Sequence, residues 1–171
     1  IPSMVDLELI AQDALILNDV SLSQLTLAAG DSSSASAIAA WLNTESSATG
    51  VTVTASNSIE ASAEEINLLE QIRINGVLIG NGSLPANIDS LATAINAETS
   101  TTNVSAYVSR EGGIIITNAV GHEGENISLS NPDASATSNT LGQPNQTFTG
   151  SLQLHGTEPV PYTHLTLPTT P

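Results

Sequence analysis

The chain has 171 residues and sets 17 Asp and Glu against two Lys and Arg, a net charge of −15. With Arg73 and Arg110 as its only permanent cations, it lacks the clustered positive charge that binding to nucleic acid or an anionic membrane requires. The absence of cysteine excludes disulfides, thiolate metal sites and thiol catalysis, and 2% aromatic content leaves the core to Ile, Leu, Val and Ala. No apolar run approaches the roughly 20 residues that span a bilayer. The opening Ile1-Pro2-Ser3-Met4 has neither the basic nor the apolar segment of a signal peptide, and is expected to belong to a longer protein.

In chain order, Leu15-Ile16-Leu17-Asn18-Asp19-Val20 reads as a short strand, a turn and a second strand. Ala35, Ile38, Trp41 and Leu42 then form the apolar stripe of a helix capped from Ser32–Ser34, and the alternating Val51-Thr52-Val53 opens a strand. The same plan returns downstream. Ile72, Ile74, Val77 and Ile79 flank Asn75-Gly76, the strongest short hairpin signal because both residues accept positive φ. Ile88, Leu91, Ala92 and Ile95 lie on one helical face, with Asn87 or Ser83 as the cap and Asp89 suited to the helix dipole. Thr99–Thr102 ends that helix; Val104, Ala106 and Val108 alternate as a half-buried strand, Ile114–Thr117 makes another, and Ile127 with Leu129 marks a short last one.

The two stretches are copies. Residues 38–55 set against 91–108 share six identities in 18 positions, at Ala39/Ala92, Asn43/Asn96, Glu45/Glu98, Ser47/Ser100, Thr49/Thr102 and Val51/Val104. The hairpins align at an offset of 57 and the helices at 53, which places a four-residue insertion around Ala28–Ser34 in the first copy. The expected fold class is α+β: two tandem β-α-β-β units, each an antiparallel sheet with one helix packed on a face. The expected divisions are 1–66 for the first unit, 67–147 for the second, 148–158 for a truncated third and 159–171 for a disordered, non-native tail. Four of the eight prolines fall in that tail, and Tyr162–Thr169 resembles translated adapter sequence.

Residues able to carry chemistry are sparse. Gly121-His122-Glu123-Gly124-Glu125-Asn126 gathers a histidine and two carboxylates, but neighbours this close do not converge on one metal ion, and a solvated loop is the expected reading. Glu64-Glu65 reads as a charged linker, not a glycosidase pair. Gly80-Asn81-Gly82 lacks the GK[ST] of a phosphate loop, and His155 and His164 lie in the truncated copy and the tail. No G-x-S-x-G elbow or calcium-loop spacing occurs. The N-x-S/T triplets at Asn81, Asn103, Asn126 and Asn145 are read as coincidental. Trp41 is expected in the core and Tyr107 on the exposed sheet face. No catalytic, cofactor-binding or metal-binding residue is assigned, and no enzyme is expected.

Ile74-Asn75-Gly76-Val77 with Ile79-Gly80, then Leu91-Ala92-x-Ala94-Ile95-Asn96-Ala97, Val104-x-Ala106 and Gly113-Ile114-Ile115-Ile116-Thr117, resembles the flagellin IN repeat. The resemblance is strong over 66–130 and fair over 11–60, where Asp19 replaces the usual Gly and Trp41-Leu42-Asn43 replaces Ala-Ile-Asn. It implies a structural, surface-exposed variable insertion of a flagellin or hook-associated protein, extracellular on the bacterial flagellum and serving filament structure and motility. It also implies assembly with other subunits through segments absent here. O-linked glycans are implied as well, for which the 41 Ser and Thr offer acceptors. The alternative is a repeat module of a bacterial adhesin that binds glycan or a host surface.

Overall fold

The computed structural model describes residues 13–25 and 33–156. The tail from 159, the start of the first unit and most of the expected insertion therefore lie outside the described residues.

The first copy begins with strands β1 (Ile16–Leu17) and β2 (Val20–Ser21), paired antiparallel around Asn18 and Asp19 at φ 50° and 62°. Asp19 thus adopts the positive φ that glycine takes in the other copy. The Ser34 side chain accepts from the Ala37 N–H and caps α1 (Ala35–Thr44). One further turn, α2 (Ser46–Thr49), ends at left-handed Gly50 before β3 (Val51–Ser56). Strand β4 (Ser58–Ala61) follows.

The second copy repeats this order. Strands β5 (Arg73–Ile74) and β6 (Val77–Leu78) close on Asn75 and Gly76 at φ 49° and 84°. An irregular turn over Ile79–Gly82, in which Gly80 and Asn81 take positive φ, leads to α3 (Ile88–Ala97), where Asn87 and Ser90 form a reciprocal capping box. The single turn α4 (Thr99–Thr102) and left-handed Asn103 deliver the chain into β7 (Val104–Val108), β8 (Ile114–Asn118), β9 (Ile127–Ser130), β10 (Gln146–Phe148) and β11 (Ser151–Gly156). A Cβ on Gly76 would meet nothing within 4 Å, so only its φ resists substitution. Gly76→Val is expected to destabilise the second unit by roughly 1 kcal/mol or more, read as a shift of the urea midpoint at constant slope.

The α+β class holds, but the strands are distributed differently from one sheet per unit. The 72–79 hairpin joins β9 and β10 in the order β10-β9-β5-β6, while β7 and β8 join β4 in the order β4-β8-β7. Both sheets are needed to enclose α3: Ile74, Ile127 and Leu129 from one and Ile59, Val104, Ile114 and Ile116 from the other share a core with Leu91 and Ile95. The ladders also cross the boundaries expected at 66/67 and 147/148. Strand β4 pairs with β8, Ile59 opposite Ile116, and β11 pairs with β3, Leu154 opposite Val53. The segment expected to open a third copy therefore completes the sheet of the first.

The register of that pairing follows the repeat. Leu154 faces Val53 and Leu152 faces Ala55, just as Ile116 faces Ala106 and Ile114 faces Val108. Around the first helix a smaller core gathers Leu22, Ala39, Leu42, Val51 and Val53, with Ile38, Trp41 and Leu152 packed against it. The core around α3 is the larger of the two.

Candidate functional site: the repeated asparagine clamps

The side chains that the two copies share converge on a few backbone groups. Asn96, on α3, donates from Nδ2 to the Ala106 carbonyl and accepts from the Ala106 N–H at Oδ1, both at 2.8 Å. Asn43, on α1, makes the same pair with Val53 at 2.7 Å each way. An amide side chain offers a donor and an acceptor side by side, like a peptide group on a neighbouring strand. Each clamp thus bonds the outward backbone groups of an edge strand, β7 or β3, and ties the helix to it.

Other equivalent positions fix the hairpins and strand entries. Asn75 donates from Nδ2 to the Thr102 carbonyl at 2.7 Å, and Asn18 to the Thr49 carbonyl at 2.8 Å. The Thr102 hydroxyl accepts from the Val104 N–H, and the Thr49 hydroxyl from the Val51 N–H. In the second unit Asn75 Oδ1 also accepts from the Ser128 N–H at 2.8 Å, which locks the hairpin to β9. The sequence marked Asn43/Asn96 and Thr49/Thr102 as repeated, and that repetition was the signal. The partners of Asn43 and Asn96 could not be read, because those are main-chain groups ten residues away, whereas each Thr hydroxyl meets an N–H only two residues on.

Where the two copies meet, buried Asn57 interrupts the run from β3 to β4. Its Nδ2 donates to the carbonyls of Glu125 at 2.9 Å and Phe148 at 2.8 Å. Asn126 Nδ2 donates to the Ser33 carbonyl, and the Ser36 N–H donates to the Gly124 carbonyl. A Cβ on Gly124 would stand 2.3 Å from Ala55 Cβ, so the close approach at this seam demands glycine. Asn57 did not stand out in the sequence, since its partners are main-chain groups 68 and 91 residues away, and Gly124 stood out only as a member of the 121–126 loop.

The candidate loop at 121–126 is a latch in this arrangement. His122 Nδ1 lies 2.8 Å from Glu125 Oε1, while Glu123 turns away to accept from the Gly121 N–H. Glu125 Oε2 accepts from Asn103 Nδ2 at 3.3 Å, and Asn118 Oδ1 accepts from the Gly124 N–H. Among the described residues, no three His, Cys, Asp or Glu side chains are grouped as metal ligands. A recess lined by Gln71, Ile79, Gly80, Leu84 and Leu91 has a volume of about 10 Å³, room for one water.

The remaining candidates are local. Trp41 is half-buried against the first core and donates from Nε1 to the Ser23 carbonyl at 3.2 Å; Tyr107, opposite Ile115, is 52% exposed. Glu64 is exposed, whereas Glu65 Oε2 accepts from both the Ser62 N–H and its hydroxyl at 2.8 Å. Those bonds, the backbone one foremost, hold the Glu65 carboxyl below its ordinary 4.5. A depressed folded value contributes stability above pH 4.5 and loses it as pH falls through the depressed value. Glu65→Gln is therefore expected to show a slightly shallower loss of melting temperature than the parent between pH 5 and 3. The general relief of charge repulsion on acidification is common to both proteins.

Among the described residues, no helix is long and apolar enough to cross a membrane. The chain has no match among curated proteins. The family model of the flagellin hook IN motif matches residues 71–120, from the start of the Asn75-Gly76 hairpin through α3 and its clamped strand to the end of β8. The chain therefore carries a flagellin hook IN motif, and over residues 71–120 it is flagellin-like.

Proposed function

We propose that the chain is a structural, non-enzymatic module of the bacterial flagellum: a surface-exposed variable insertion of a flagellin or hook-associated protein that contributes to filament structure and motility. The observation that carries this is the coincidence of the matched segment 71–120 with a complete clamped hairpin–helix–strand unit. We read the first unit, residues 13–56 with 151–156, as a diverged second IN-type unit into which residues 57–148 are inserted. The shared clamps and shared register support that division.

Its polar interactions go to holding main-chain groups, which suits a part that keeps shape and not one that turns over a substrate. A charge of −15 and 41 Ser and Thr suit a solvated, mutually repelling outer surface with hydroxyls for O-linked glycans. Other flagellin or hook-associated subunits are the partners, met through segments other than these, with no part for nucleic acid or membrane. Immunogold electron microscopy of the source cells, with antibody raised against residues 13–156, tests this. Label along the filament or at the hook junction is expected. Label confined to the cell envelope would overturn the reading and favour an adhesin.

A further inference from the structure

The sequence contains two Asn-Gly pairs, Asn75-Gly76 and Asn81-Gly82, six residues apart and both at the surface. Such pairs are chemically labile, because glycine has no side chain to keep its amide nitrogen from the asparagine carboxamide. Both asparagines sit at positive φ, 49° and 52°, so φ does not separate them. Their side chains do differ. Asn75 has both side-chain heteroatoms engaged, Nδ2 on the Thr102 carbonyl and Oδ1 on the Ser128 N–H. Rotating that carboxamide toward the Gly76 nitrogen would break both bonds, which tie the tip of the hairpin to α4 and to β9. Asn81 is exposed, and its side chain makes no hydrogen bond among the described residues. It lies between Gly80 at φ 70° and Gly82 at φ 84°, the most permissive neighbours a chain provides.

We propose that Asn81 is a site of spontaneous covalent modification in the folded protein, and that the hairpin lock protects Asn75 from the same reaction. The Gly82 amide nitrogen loses its proton and attacks Asn81 Cγ. A C–N bond forms, the Cγ–Nδ2 bond breaks, and ammonia leaves with a five-membered succinimide behind it. Water then opens the ring at either carbonyl to give aspartate or isoaspartate. The net change is addition of one water and loss of one ammonia, with no oxidant or reductant. Each event adds one negative charge to a chain at −15. In the isoaspartyl product an extra methylene enters the main chain between the hairpin and α3. The loop is held there by the bond from Gln71 Nε2 to the Gly82 carbonyl.

Mass spectrometry of the full chain tests this. Arg73 and Arg110 are the only tryptic sites, so one peptide, residues 74–110, carries both asparagines, and fragmentation assigns the gain of one mass unit to either. The folded protein is aged in mildly alkaline buffer beside a sample kept unfolded in urea. Expected is modification of both asparagines in urea, and of Asn81 about tenfold or more faster than Asn75 in the folded chain, since two hydrogen bonds must open at Asn75. Comparable rates in the folded chain would overturn the proposal. So would an unmodified Asn81 over a period in which the unfolded chain is modified at both positions.

Discussion

Leu91→Ala is expected to lower the unfolding free energy of the second unit by about 2–5 kcal/mol. Leu91 is 1% exposed and lies beneath both sheets of that unit, among Ile74, Ile95, Ile116 and Leu129. The deletion removes transfer energy and leaves a cavity that two sheets pinned by separate ladders cannot close. Denaturant unfolding followed by far-ultraviolet circular dichroism measures it. A loss well under 1 kcal/mol would mean that the stripe is not core. The first unit, with its own smaller cluster around Leu42 and Val53, should keep its midpoint.

Asn96→Ala should cost about 2–4 kcal/mol, through a different cause. Ala106 is 6% exposed, and removing the clamp leaves its N–H and carbonyl without partners. It also uncovers the edge of β7, a template for pairing with another chain. The variant is therefore expected to self-associate at concentrations where the parent elutes as a single species. Asn96→Asp separates the two halves of the clamp: the carboxylate still accepts from the Ala106 N–H but donates nothing to the carbonyl, so its loss should be intermediate. Equal stability of all three proteins would show that the clamp contributes nothing.

Local features were legible in the sequence wherever short-range chemistry decides them. The Asn75-Gly76 turn, the Asn87 cap, the Ile88–Ile95 stripe and the 104–108 alternation all stand where spacing puts them. The correspondence of 38–55 with 91–108 was legible because equivalent side chains make equivalent bonds, Asn43 with Val53 and Asn96 with Ala106. Strand partnership was not. Alternation shows that 151–156 forms a strand but carries no information on which edge it joins, and the structure pairs it with β3, some hundred residues earlier. Asn57 was equally silent, since its role exists only where β3, β4, β10 and the 121–126 loop come together.

Backbone nuclear Overhauser contacts across the strands, measured on the intact chain, bear most directly on the idea of one building block used twice with its second copy carried inside the first. Val53 should contact Leu154 as Ala106 contacts Ile116, and Ile59 should contact Ile116 from the other edge of β8. Contacts that join Val53 to a strand within residues 58–66, with 151–156 paired elsewhere or nowhere, would contradict it.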